Sequence, residues 1–153
     1  MKSVLFVCTG NICRSPTADA LLREHISQSG TDLRSDSCGT HAYHVGEQPD
    51  QRTMDVAMGH GIDMTSLRAR KLALPDFDEF DFLIAMDAGH YKQMLSLCPD
   101  QYRDKVKLLL DYTSDYKGAD VPDPYYGDRQ GFEDCFQTIE LGVKAFLKQE
   151  GFL

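Results

Sequence analysis

The chain has 153 residues, 42% of them hydrophobic and 26% charged, and carries a net charge of −8. That length suits one domain with its own core, expected to span residues 1–153, and the acidic balance excludes the basic footprint of a nucleic-acid binder. Attraction of an anionic ligand must therefore come from local positive charge. No run approaches the length of a membrane span, and the apolar stretch after Lys2 is too short for a signal-peptide core, so no membrane insertion is expected. The five cysteines, at positions 8, 13, 38, 98 and 135, are odd in number and scattered. They resemble neither a disulfide framework nor a zinc site, which points to a reducing cytoplasm with no metal or cofactor.

Val4-Leu5-Phe6-Val7 reads as a short buried strand, and Pro16 with the amphipathic run behind it reads as a helix start. Between them lies a loop that opens with Cys8 and closes with Arg14 and Ser15. A strand, a tight loop and a helix N-terminus form an anion cradle, because the N–H groups of the loop and first turn point inward. The helix dipole and Arg14 both favour a thiolate at Cys8, and a thiolate facing a nest of donors suits in-line attack on a phosphoryl group. The five spacers Thr9, Gly10, Asn11, Ile12 and Cys13 let the loop wrap three oxygens, and the planar fork of Arg14 binds two of them at once. Ser15 can donate a hydrogen bond to the thiolate. Gly10 and Asn11 tolerate the left-handed backbone that such a loop demands. A cysteine and an arginine at this spacing also occur by chance; the position between strand and helix gives the pattern its weight.

Further along, Ala18, Leu21, Leu22, His25 and Ile26 share one helical face, and Gly30 ends that helix. A strand is expected near Leu33–Ser37. His41 and His44 follow in a glycine-flanked loop without a carboxylate or third ligand at metal-binding spacing. Pro49 is expected to start a helix with Met54, Ala57 and Met58 on its core side, stopped by Gly59-His60-Gly61. Leu67-Arg68-Ala69-Arg70-Lys71 is by default a solvated face, or else a cationic rim for an anionic substrate. Phe80–Met86 and Val106–Leu110 read as strands flanking a helix over Ala88–Leu97. Asp87, just past its strand, lies where a carboxylate could orient an arginine. The closing helix shows Phe132, Cys135, Phe136, Ile139, Val143 and Phe146 as a core-facing stripe. This alternation implies an α/β fold, a small parallel sheet with helices on both faces, with ligands bound beyond the carboxyl ends of its strands.

The stretch Val4-Leu5-Phe6-Val7-Cys8-Thr9-Gly10-Asn11-Ile12-Cys13-Arg14-Ser15-Pro16 resembles the signature of the low-molecular-weight protein-tyrosine phosphatases. Val121-Pro122-Asp123-Pro124-Tyr125-Tyr126-Gly127 resembles that family's general-acid loop, so the likeness covers essentially the whole chain. The resemblance implies a single three-layer domain with a four-stranded parallel sheet in the order 2-1-3-4. It also implies hydrolysis of phosphotyrosine and aryl phosphate monoesters through a cysteinyl-phosphate intermediate. Cys8 would be the nucleophile, Arg14 the phosphoryl clamp and Asp123 the general acid and base; on its own, Pro122-Asp123-Pro124 is a plain turn. Asp36-Ser37 resembles the family pair whose serine braces the loop asparagine, and Arg70 closes a basic-Ala-Arg run that supports it. The residue before that run is often a histidine in the family; here it is Leu67. Tyr43 falls where the family often has an aromatic pocket wall, with an ordinary half-buried loop tyrosine as the alternative.

Tyr125 and Tyr126 would line a slot for a flat ring with Ile12 on its other side, deep enough to exclude phosphoserine. Related phosphoarginine phosphatases tend to carry threonine where this chain has Ile12, and an apolar residue there leaves guanidinium donors unpaired, which favours tyrosine. Arsenate reduction on the same loop wants a closely spaced late cysteine pair, whereas Cys98 and Cys135 are isolated. A phosphopeptide-binding module could dispense with Cys8, Arg14 or Asp123, and all three are present. The resemblance implies tyrosine-phosphorylated proteins as partners and a monomer or weak dimer. Cys8 and Cys13 on one curled loop suggest a redox-sensitive pair.

Overall fold

Lys2–Cys8 forms β1 in the computed structural model, which describes residues 1–153, and every residue of the strand from Ser3 onward is buried. Parallel strands pair with it on both sides: β2 (Leu33–Gly39) and β3 (Phe82–Ala85). A short β4 (Val106–Leu108) completes the sheet beyond β3. The order is β2-β1-β3-β4, the 2-1-3-4 arrangement implied by the resemblance. The order reverses at β1, so a crevice opens beyond its carboxyl end, between the segments that leave β1 and β3.

Alternation along β1 divides the core. Val4, Phe6 and Cys8 face a cluster with Ala18 and Leu22 of α1 (Arg14–Ser29) and Ile139, Val143 and Phe146 of α5 (Arg129–Gln149). Leu5 and Val7 face the opposite cluster, built on Phe77 of α3 (Pro75–Glu79) and Met94 of α4 (Ala88–Leu97). These are the three layers. The remaining helix, α2 (Gln51–Gly59), packs outside the sheet, where Met54 and Ala57 join Phe132 and Phe136 of α5 in a third cluster.

The boundaries depart from the sequence expectations in places with physical causes. Helix α1 begins at Arg14, ahead of Pro16, so the whole first turn is buried beneath the loop. Strand β2 runs on to Gly39, β3 is confined to Phe82–Ala85, and the expected strand to Leu110 stops at Leu108 in a 3₁₀ turn over Leu109–Tyr112. Pro49 lies outside α2, because Asp50 caps the helix by accepting the Arg52 N–H at 2.9 Å. Met58, expected on the core side of α2, is 53% exposed. It lies about 40° round the helix beyond Met54, past the edge of the stripe set by Thr53, Met54, Val56 and Ala57. No helix is long and apolar enough to cross a membrane.

Phe146 is fully buried, with the rings of Phe82 and Tyr112 standing edge-on to it at centroid distances of 5.2 Å each. Phe146→Ala should lower unfolding free energy by about 3–5 kcal/mol, measured by urea denaturation. A loss below about 1 kcal/mol would show that the neighbouring rings refill the space.

Candidate active site

The loop after β1 is shaped by one strained residue. Asn11 has φ of 60°, the only non-glycine in the chain with a positive φ. Its side chain holds that conformation: Nδ2 donates to Ser15 Oγ at 2.8 Å and to Ser37 Oγ at 2.9 Å, and Oδ1 accepts the Arg70 backbone N–H at 3.0 Å. Both amide hydrogens and the carbonyl are thereby satisfied without a histidine at position 67, where Leu67 instead packs against the Met54 and Met64 cluster. Gly39, at the end of β2, lets the loop pass close by. A Cβ there would lie 2.6 Å from the Thr9 carbonyl oxygen, so no larger residue fits unless the loop moves.

Cys8 and Arg14 stand at the two ends of this loop. Cys8 Sγ lies 3.0 Å from Ser15 Oγ, close enough for the hydroxyl to donate to sulfur. Arg14 is only 4% exposed. Its Nη1 donates to Asp87 Oδ2 at 2.9 Å and to the Val121 carbonyl at 3.0 Å, which uses both hydrogens. Nη2 reaches Thr9 Oγ1 at 3.4 Å and Asp123 Oδ2 at 3.6 Å, so the Nε–Nη2 edge is left for a bound oxyanion. Burial opposes the guanidinium charge, but the Cys8 sulfur, Asp123 and Asp87 outweigh it and hold the group above its ordinary value. Asp87 is also the N-cap of α4, its Oδ1 accepting the His90 N–H at 2.8 Å. Burial works against its charge too, yet the His90 N–H and Arg14 hold it below the usual carboxylate range.

Above the loop is a cleft of about 220 Å³, bounded by Ile12, Cys13, Tyr43, His44, Tyr125 and Tyr126, with Cys8 and Arg14 in its lining and Asp123 at its wall. Asp123 is 48% exposed and accepts the Tyr125 N–H at 3.1 Å, which ties the acid to the aromatic wall. Tyr125 and Tyr126 meet edge to face at 5.0 Å, and Tyr126 is 94% exposed. Tyr43 is exposed rather than half-buried; it stacks on His41 at 5.0 Å.

A family model described as low molecular weight phosphotyrosine protein phosphatase matches residues 3–150. The chain belongs to this family. A low molecular weight phosphotyrosine protein phosphatase of Schizosaccharomyces pombe is 44% identical over 148 residues, covering 95% of this chain and 94% of that protein. The low molecular weight protein-tyrosine-phosphatase YfkJ of Bacillus subtilis is 40% identical, covering 96% and 94%. Among solved structures, a protein tyrosine phosphatase from Entamoeba histolytica superposes with a TM-score of 0.91 at 36% identity, covering 100% of both chains.

The structure gathers the expected residues at one crevice, with one exception of role. The Arg70 side chain is turned away from the cleft, bonding Asp36 Oδ2 at 3.1 Å and Asp76 Oδ2 at 3.0 Å, and only its backbone reaches Asn11. Arg68 donates to the carbonyls of Thr65 and Leu67. The run 67–71 is therefore no cationic rim, and Arg14 is the cation of the cleft.

Sequence reasoning passed over His90, which is 5% exposed. Its Nε2 lies 2.7 Å from Thr9 Oγ1. Its Nδ1 is buried with no hydrogen-bond partner, since Asp87 Oδ1, although 3.1 Å away, is out of line. Such an orphan costs about 1–3 kcal/mol. The signal was available: His90 is three residues after the N-cap Asp87, the spacing at which a first-turn side chain lies beside its cap.

Burial and the Arg14 charge push the His90 imidazole down to about 4, from 6.5. Between those values the unfolded chain binds a proton that the folded chain does not, so stability falls as pH drops from 6.5 towards 4. His90→Gln should flatten this part of the stability–pH curve, followed by urea unfolding at each pH; an unchanged slope would show that other groups set it.

Proposed function

We propose that the chain is a protein-tyrosine phosphatase that hydrolyses phosphotyrosine and aryl phosphate monoesters through a cysteinyl-phosphate intermediate. The observation that carries this reading is the convergence of Cys8, the Nε–Nη2 edge of Arg14 and Asp123 on one aromatic-walled cleft. The Cys8 thiolate, accepting a hydrogen bond from Ser15, attacks phosphorus in line. A P–S bond forms, the P–O bond to the aryl oxygen breaks, and protonated Asp123 delivers its proton to that oxygen. Loop N–H groups and Arg14 hold the three equatorial oxygens while charge redistributes. In the second step the Asp123 carboxylate takes a proton from water, whose oxygen attacks phosphorus. The P–S bond breaks, releasing inorganic phosphate and regenerating the Cys8 thiolate.

Ile12 on one side and Tyr125 on the other suit a flat ring, and the apolar Ile12 offers nothing to guanidinium donors, which favours phosphotyrosine over phosphoarginine. The partners in this reading are tyrosine-phosphorylated proteins met in the cytoplasm, by a monomer or weak dimer. Cys13 lines the same cleft, and its thiol is pushed up to about 12, chiefly by burial. Its place in the cleft supports a resolving role, although burial disfavours its thiolate: peroxide converts Cys8 to the sulfenic acid, and the Cys13 sulfur then displaces water to form a disulfide that an external thiol reduces.

Proton donation matters most for a poor leaving group. Asp123→Asn should lower kcat/KM on phosphotyrosine by about 10² to 10⁴-fold and much less on nitrophenyl phosphate. Equal losses on both would reduce Asp123 to a shaper of its loop. Cys8→Ser should abolish turnover while inorganic phosphate still binds, and turnover near wild type would rule out the covalent route. After peroxide, activity should return with dithiothreitol in the wild type and not in Cys13→Ser; equal recovery would leave Cys13 a packing residue.

A further inference from the structure

Four side chains close a ring beside the phosphoryl cradle. Arg14 Nη1 donates to Asp87 Oδ2 at 2.9 Å; Asp87 Oδ1 lies 3.1 Å from His90 Nδ1. His90 Nε2 lies 2.7 Å from Thr9 Oγ1, and Thr9 Oγ1 returns to Arg14 Nη2 at 3.4 Å. The members come from the loop after β1, the first residue of α1 and the start of α4. The ring therefore ties both ends of the cradle to β3's side of the crevice.

The Asp87 carboxylate sets its polarity. Arg14 only donates, so the Thr9 oxygen accepts from Nη2 and the single Thr9 hydrogen is free for His90. A bare Nδ1 lone pair would face the Asp87 carboxylate at 3.1 Å, so the ring proton belongs on Nδ1 and Nε2 is left to accept the Thr9 hydrogen. The groups facing His90 agree with a neutral ring. Arg14 from α1 and His41 from the segment after β2 oppose a second cation, and together with burial they outweigh Asp87 and Asp123. A histidine kept neutral, buried and without a full set of partners beside a clamp arginine has no packing reason to be a histidine.

We propose that His90 is a positioning residue of the phosphoryl site, which by accepting the Thr9 hydroxyl orients Thr9 to hold the Nη2 amine of Arg14 in the plane that binds the phosphoryl oxygens. This rests on the phosphatase reading above, and concerns how the clamp is aimed. His90 itself does not line the cleft. Nη1 is anchored twice, to Asp87 and Val121, but Nη2 has the Thr9 oxygen as its one hydrogen-bonded tether.

The test compares wild type, His90→Ala, His90→Gln, Thr9→Val and the double variant His90→Ala/Thr9→Val on phosphotyrosine and nitrophenyl phosphate. His90→Ala should lower kcat/KM about tenfold to a hundredfold, the scale of a small misplacement of a binding group. The loss should be equal on the two esters, because the clamp acts on phosphorus and not on the departing oxygen. His90→Gln, whose amide oxygen can accept the Thr9 hydroxyl, should recover most of it, and the double variant should be no worse than the poorer single one. Additive losses, failure of glutamine to rescue, or a loss concentrated on phosphotyrosine would each overturn the proposal, the last by placing His90 on the proton of Asp123. If His90→Ala does not fold, Thr9→Val and His90→Gln decide the matter: the former must show the loss and the latter must not. If the wild type hydrolysed neither ester, the phosphatase reading would fall by itself. The ring would still be tested by titration with inorganic phosphate, where Thr9→Val should bind about tenfold more weakly and His90→Gln near normally; unchanged affinity in Thr9→Val would overturn it.

Discussion

The buried charge of Arg14 is the constraint on which the rest of this structure depends. A guanidinium withdrawn from water is tolerated only where acceptors and anions surround it, since removal of one partner of a buried pair leaves an uncompensated charge. Here Asp87 and the Val121 carbonyl satisfy one amine, and a phosphoryl group can satisfy the free edge. Asp87 can reach Arg14 because β1 and β3 are neighbours, so the segments leaving their carboxyl ends emerge side by side. The strand order thus serves the arginine directly, and the same adjacency aligns the start of α4 with the loop after β1.

The cradle itself is held by polar contacts from behind rather than by its own propensity. Asn11 in a left-handed conformation is costly unless its side chain is fully engaged, and Ser15, Ser37 and Arg70 engage it from three segments. Ser15 touches both Asn11 and Cys8, so the residue that shapes the loop also meets the sulfur. Gly39 lets β2 approach closely enough for this bracing to work. Behind these contacts, Arg70 is locked by Asp36 and Asp76 and presents its backbone at a set height. The cradle is braced because Asn11, Ser15 and Arg14 are each tied to more than one segment of the chain.

An acidic molecule that receives a phosphorylated partner must confine its positive field. The net charge is −8, yet the cleft's one guanidinium is shielded on its far side by Asp87 and faced by Asp123. Attraction is thus short-ranged, and in the proposed function the aromatic walls would take over recognition once a phosphoryl group is seated.

What the sequence determined by itself was local. Val4 to Pro16 encodes a strand, a loop and a helix start within one short segment, and nearest-neighbour sterics and N–H directions suffice to read an anion cradle from it. The stripe on α5 and the span of α4 follow from helical periodicity, which needs no knowledge of partners. Two motifs in family order carried the four-stranded topology. What only the tertiary structure decided are pairings between segments far apart in the chain. Asp123 comes within 3.6 Å of Arg14 because the loop before α5 folds over the cleft, and His90 meets Thr9 because β3 lies against β1. Arg70 illustrates the converse: in sequence it was a cation in a basic run, but Asp36 and Asp76 turn its charge inward and leave its N–H to do the bracing. Met58 escaped the core for a similar reason, since the width of the stripe buried on α2 is set by what α5 covers. Periodicity and spacing report the chemistry a segment can offer; which offers are taken up depends on neighbours that sheet order and helix packing bring together.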